Sequence, residues 1–159
     1  MTVPDYSSTL TGWREWVSLP DIGVPWIKAK VDTGAQTSAL HATEIEEFER
    51  DGASWVRFLV QPWQLTEEDA VAVELPVHDR RTVRSSSGHA QLRPVVLVEI
   101  GLAGRKIEAE VTLTDREEMV FRMLIGREAL RQGFVVDSAA SFLGGRPSRE
   151  IRRRNRGSV

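Results

Sequence analysis

Alternation of apolar and polar positions is the commonest pattern along this chain, and it predicts strands. The clearest case is Trp26–Asp32. There Ile27, Ala29 and Val31 face one side, and Lys28, Lys30 and Asp32 the other. Trp13–Leu19 is rich in aromatic and aliphatic residues and ends at Pro20. Ser54–Gln61 and Ala70–Val77 read as further strands. The stretches "RRTVRSSSG" and "AQLRPVVLVEIGL" predict a hairpin around Ser85 to Ala90. "LAG" then turns the chain into Arg105–Asp115, where Ile107, Ala109, Val111 and Leu113 alternate with charged residues or Thr, as in a half-buried antiparallel strand. Val120–Gly126 is nearly continuously apolar, the pattern of a fully buried strand. "REALRQG" predicts one or two helical turns ending at Gly133, and "FVVD" a last short strand. One long segment reads differently. "TSALHATEIEEFERDG" predicts mostly helix, with Thr43 as cap, Glu46 three residues later and Gly52 closing it. About eight or nine strands with short helices after Gly34 and Gly126 predict a mostly-β domain with barrel-like closure.

Composition narrows the class. At 159 residues the chain holds one domain with a real core. Residues 1–11 read as a loose lead-in, 12–143 as the domain, and 144–159 as a basic tail expected to lack fixed order. The balance of 41% hydrophobic and 28% charged residues is that of a soluble globular protein, and the net charge of -2 makes the body no polyanion binder. With no cysteine, disulfide scaffolds, thiolate metal sites and cysteine nucleophiles are excluded. "MTVPDYSSTL" lacks the basic and apolar regions of a signal peptide, and no apolar run is long enough to span a bilayer. A cytoplasmic location is expected.

The candidate chemistry lies in "IKAKVDTGAQTSAL". Asp32-Thr33-Gly34 is open to two readings. One is a strand-end Asx-turn, in which Thr and Gly serve backbone geometry; the other is a catalytic loop. Its context favours the second, because "MLIGREAL" supplies another apolar strand running into Gly126 and a short helix.

The pair "V-D-T-G-A" and "L-I-G-R" resembles the retropepsin-like aspartic peptidases. Five blocks in order, "KVDTGAQTSALHA", "RSSSGHAQLRPVV", "VTLTDREEM", "MLIGREAL" and "FVVDSAASFL", look like the bacterial members known as ATP-dependent zinc proteases. The resemblance implies a closed acid-protease barrel, and a cytoplasmic aspartic-type endopeptidase with Asp32, Thr33 and Gly34 at the catalytic centre. It implies that Thr33 braces two loops across a homodimer interface, that Gly34 permits close backbone approach, and that Ala35 packs at the substrate side. It also implies a hairpin flap over the substrate, placing Arg84, Ser85, Ser86, Ser87, Gly88, His89 and Arg93 on the substrate-binding side. Some relatives of this family occur beside or fused to RimK-like ATP-grasp glutamate ligases, which makes such a ligase a candidate partner.

One Asp-Thr-Gly per chain calls for a second carboxylate. A homodimer supplies it as a second Asp32; the in-chain candidate is Asp137, whose other reading is a strand-end cap. Arg80, Arg81, Arg84 and Arg93 around the flap would favour an acidic peptide or protein substrate, or else form a solvated hairpin surface. An alternative class is a non-catalytic or specialised binding partner of a RimK-like ligase that recognises glutamate-rich tails. A zinc-dependent hydrolase is a third reading, with His41 and His89 as the histidines nearest the motifs. However, no His-Glu-x-x-His and no Gly-rich Lys-Ser/Thr loop is present, so neither zinc nor ATP is expected as a cofactor. The arginines of "REIRRRNR" read as a solubilising tail, and nucleic acid and membrane are not expected partners. That tail is too charged and too interrupted by Gly and Pro for a terminal interface strand, which leaves the dimer edge open.

Overall fold

Period-two patterning produces ten strands among the described residues. The computed structural model describes residues 8–84, 88–115 and 120–157. The strands are β1 (Thr9–Leu19), β2 (Val24–Val31), β3 (Ser38–Arg50), β4 (Ala53–Val60), β5 (Val71–Pro76), β6 (Asp79–Arg84), β7 (Ala90–Leu102), β8 (Arg105–Thr114), β9 (Met123–Ile125) and β10 (Phe134–Ser141). Two short helices follow late in the chain, α1 (Arg127–Leu130) and α2 (Arg149–Asn155). No helix among the described residues is long and apolar enough to cross a membrane.

Six strands close a ring in the order β1-β2-β9-β3-β8-β7, with Ser18 of β1 meeting Gly101 of β7 at the seam. A Cβ at Gly101 would sit 2.2 Å from the Ser18 hydroxyl oxygen, so a larger residue at the seam would make the Ser18 side chain turn away. The inward residues of all six strands make one core, including Val17, Ile27, Leu40, Val98, Val111, Met123 and Ile125. Burying these side chains is the main stabilising term, at roughly 1.5–3 kcal/mol each.

Three additions decorate the ring. β4 and β5 extend β3 outward as a meander, β6 and the first half of β7 form a projecting hairpin, and β10 lies parallel to β1. The last is held by Glu15, which is fully buried. Its carboxylate accepts the amides of Gly12 (2.7 Å), Leu143 (3.0 Å) and Gly144 (2.9 Å). A buried carboxylate is tolerable because these donors replace its water.

Two expectations change. The helix expected after the Asp-Thr-Gly loop is instead β3, and Thr43 pairs with Leu59 of β4 rather than capping anything. The Thr43–Glu46 pair that reads as a capping signal instead flanks a β-bulge: Glu44 takes φ 50°, and between Thr43 and Glu46 two residues of β3 face one of β4. Gly52 does not end a helix. With φ of 52° and 78°, Asp51 and Gly52 form the two-residue turn of the β3–β4 hairpin. The expected helix after Ile125-Gly126-Arg127 is α1.

Both chain ends are more regular than composition indicated. β1 begins at Thr9, inside the expected lead-in. The basic tail contains α2, whose Asn155 is buried and exchanges hydrogen bonds with Gln64: its Oδ1 accepts the Gln64 amide (3.0 Å) and its Nδ2 donates to Gln64 Oε1 (2.7 Å). Ser148 caps this helix through the Ile151 amide.

Candidate active site

The loop 32–37 joins β2 directly to β3, yet these strands do not pair. β9 lies between them, parallel to β2 (Val31 opposite Ile125) and antiparallel to β3 (Ala39 opposite Leu124). The buried apolar run Met123–Ile125 is thereby enclosed by strands from the first third of the chain. Asp32 sits where β2 leaves the sheet, and its amide donates to Ile125 O at 2.8 Å.

Within the loop Asp32 is half-buried, and Thr33 and Gly34 are exposed. Asp32 Oδ1 accepts the Gly34 amide at 2.9 Å, and the Ala35 amide donates to Asp32 O at 3.3 Å. This is an Asx-turn, one of the two readings of the triplet. It does not compete with the other, because the turn fixes the carboxylate at the sheet edge. A Cβ on Gly34 would approach Asp32 Oδ1 to 3.2 Å, so glycine also keeps this contact free.

The second apolar block forms the floor of the loop. Gly126 donates its amide to Ser38 Oγ (3.0 Å), and a Cβ there would fall 2.7 Å from the Thr37 carbonyl carbon. The first amides of α1 then donate into the loop: Arg127 to Ala35 O (2.8 Å) and Glu128 to Gln36 O (3.2 Å). A helix start has free N–H groups, and here the loop carbonyls accept two of them in place of a side-chain cap. Arg127 Nη1 donates to Gly34 O (3.3 Å), and Gln36 donates to Glu128 (2.9 Å). Asp32, Gly34, Ser38, Gly126 and Arg127 thus form one hydrogen-bonded unit. Arg127 stands in the L-I-G-R motif, but its bond to the Asp32 loop is long-range, and Ser38 gives no signal until its partner is known.

The β6–β7 hairpin stands next to this loop. Arg81 Nη1 donates to Thr37 Oγ1 at 3.4 Å, and Arg81 also pairs with Glu110 of β8 and with Asp79 (3.1 Å). Glu110 raises the pKa of the Arg81 guanidinium further, and the Arg80 amide lowers that of the Asp79 carboxyl. Arg80 pairs with Glu47 at 2.6 Å. Two of the four hairpin arginines are therefore neutralised within the fold, which reduces the positive field expected there.

The remaining candidates separate by face. Arg81 lies opposite Arg93, so both share the face that carries the Thr37 contact, whereas Arg84 lies on the other. Arg93 is buried and its Nε donates to Gln91 (3.1 Å); Arg84, Gly88 and His89 are exposed. Ser85, Ser86 and Ser87 lie outside the described residues. Asp137 lies within β10, not at its end, separated from β9 by β1 and β2, and its Oδ1 accepts the Ala139 amide (2.9 Å). His41 is buried in β3, on a different element from His89. Among the described residues no three His, Asp or Glu side chains are grouped to hold a metal.

Comparison with known proteins agrees with this geometry. A solved Legionella pneumophila protein of unknown function superposes with a TM-score of 0.72 at 30% identity, covering 87% of this chain and 99% of its own. A probable alpha-L-glutamate ligase of Desulfotalea psychrophila is 40% identical over 146 residues, 92% of this chain but 32% of that protein. One from Shewanella pealeana is 44% identical over 133 residues, 84% of this chain and 29% of that protein. The chain thus spans about a third or less of these curated relatives. The model of the RimB-like family, described as retropepsin-like aspartic endopeptidase RimB, matches residues 10–147. With Asp32 at the end of β2 and Gly126 directly after the β9 strand beneath it, this chain belongs to the RimB-like family of retropepsin-like aspartic endopeptidases.

Proposed function

We propose that this protein is an aspartic-type endopeptidase that works as a homodimer and cleaves acidic peptide segments. The observation behind this reading is the seating of Asp32: a half-buried carboxylate at a sheet edge, held by the Gly34 amide over the β9 floor. Each chain offers one such Asp-Thr-Gly loop, and a two-fold axis would bring two Asp32 carboxyls together. Two close carboxyls cannot both ionise cheaply, so the pair keeps one proton. The ionised member then takes a proton from the attacking water, and the protonated member donates to the peptide carbonyl oxygen. Thr33, exposed beside Asp32, would brace the partner loop. Arg93, on the hairpin face that carries the Thr37 contact, and the exposed Gly88 and His89 would lie toward the substrate, whereas Arg84 is on the other face of the hairpin.

The test is digestion of a glutamate-rich peptide followed by mass spectrometry, with the wild type and Asp32→Asn. The variant is expected to fold and to lose at least roughly a thousandfold in rate, the scale of removing a catalytic acid or base. Undiminished cleavage by Asp32→Asn would overturn the assignment. Mixing wild type with an excess of the variant should depress activity, because mixed dimers hold one competent carboxyl.

A second reading is favoured by the curated relatives, in which a region like this chain forms part of probable alpha-L-glutamate ligases. On that reading the domain binds the glutamate-rich product of a RimK-like ligase without cutting it. Retained peptide with no fragments in the same digestion would select it.

A further inference from the structure

On the outer face of β1 and β2, beneath α2, five cations from three segments of the chain line one cavity of about 280 Å³: Arg14, Lys28, Arg146, Arg152 and Arg156. No carboxylate lines it. Among the described residues none of the five takes part in an ion pair, whereas Arg154, elsewhere on α2, is paired with Asp69 and Glu150. Three of them crowd a single ring: Arg14, Lys28 and Arg146 lie 4.9, 5.3 and 4.7 Å from the centre of Phe142. Arg14 also lies over Trp13 (4.6 Å) and Lys28 near Trp16 and Phe121 (5.9 Å each), but aromatic rings carry no net charge, so the mutual repulsion of the three cations stays uncancelled. The strain shows at Lys28, whose pKa is lowered by burial and then by Arg14, Arg156 and Arg146. Local hydrogen bonds fix the arginines without neutralising them: Arg14 Nε donates to Ser141 Oγ (3.1 Å) and Arg152 Nη1 to Pro147 O (2.9 Å).

A like-charged cluster held together in this way is poised for an anion. Lys28 lies four residues before Asp32 on the same strand, about 13 Å along β2 at ~3.3 Å per residue, so the cavity is separate from the Asp32 loop. A single carboxylate satisfies one guanidinium fork, whereas four guanidiniums and an ammonium match several clustered oxyanion charges. From the cavity between β1, β2 and α2 we infer a binding site for a compact multivalent oxyanion of the phosphate class, of about diphosphate size. α2 closes one wall of it, so the ligand ties the basic C-terminal segment to the barrel.

Calorimetry with pyrophosphate at low salt tests this on the intact chain. One site per chain is expected, with affinity falling as salt rises and weakening by roughly tenfold or more in Arg152→Ala/Arg156→Ala, the size expected for losing charge-assisted hydrogen bonds. Arg146→Ala, outside the helix, should weaken binding too, and guards against a double variant that merely releases α2. No binding heat and no rise in Tm with pyrophosphate would overturn the site, as would equal binding by wild type and both variants. A tetraglutamate peptide that binds through these arginines more tightly than pyrophosphate would overturn the phosphate class. A short RNA that outcompetes pyrophosphate and fails with the same variants would support the phosphate chemistry and give its source as nucleic acid. Asp32→Asn should bind pyrophosphate like the wild type, so this inference and the peptidase reading fail separately.

Discussion

The Ser38 hydroxyl accepts the amide of Gly126 at 3.0 Å, although 88 residues separate them. This bond joins the start of β3 to the end of β9 directly beneath the Asp32 loop. Ser38→Ala leaves a buried amide unsatisfied, so a loss of about 1–3 kcal/mol is expected in urea unfolding. Gly126→Ala should cost more, because its Cβ would lie 2.7 Å from a backbone carbon that cannot step aside. Peptide cleavage should fall further in Gly126→Ala than in Ser38→Ala, which the digestion assay reads directly.

Glu15 gives the second prediction. Its carboxylate gathers three backbone amides that no other side chain reaches. Glu15→Ala strips all three of their acceptor and should destabilise by several kcal/mol, at ~1–3 for each orphaned buried group. Hydrogen exchange should quicken first in β10 and at Leu143–Gly144.

The Arg81 guanidinium links the projecting hairpin to Thr37 and Glu110. Arg81→Ala should free the base of the hairpin, speed amide exchange in β6 and raise the KM for a peptide substrate more than it lowers kcat. An unchanged exchange pattern would show that the strand pairing alone holds the hairpin in place.

At Asp79 the sign of the pH effect is fixed. The Arg80 amide lowers its folded pKa below the ordinary 3.8, with Arg81 adding to the effect. The folded state therefore releases this proton more readily than the unfolded state. Its contribution is fully present above about pH 4 and lost as pH falls through the lowered folded value. NMR titration should place the Asp79 carboxyl below a reference Asp, and Asp79→Asn should flatten the acid limb of hairpin stability.

Much of this architecture was readable from alternation, which located β2, β4, β5, β7 and β8 nearly to the residue. β3 was not, because Thr43 with Glu46 three residues later mimics a helix cap, and the Asp51-Gly52 turn mimics a helix stop. Gly52→Ala should cost roughly 1 kcal/mol, because Gly52 holds φ 78° in the hairpin turn. The α2 helix was hidden for another reason. Its anchor is a single Asn155 paired with Gln64, and in a run of arginines one asparagine carries no periodic signal. At the site, the Asp32 turn is local and was legible. The Ser38–Gly126 and Arg127–Gly34 bonds are long-range contacts, which a strip of sequence does not display.

The wedging of β9 between β2 and β3 also imposes an order in time. As the chain leaves a ribosome, the Asp-Thr-Gly loop emerges early, but the strand that must lie beneath it comes far later. Until Gly126 is out, Asp32 is a carboxylate on an unsupported loop. A nascent or truncated chain therefore has the motif without the site, and any cleaving power is withheld until the barrel can close.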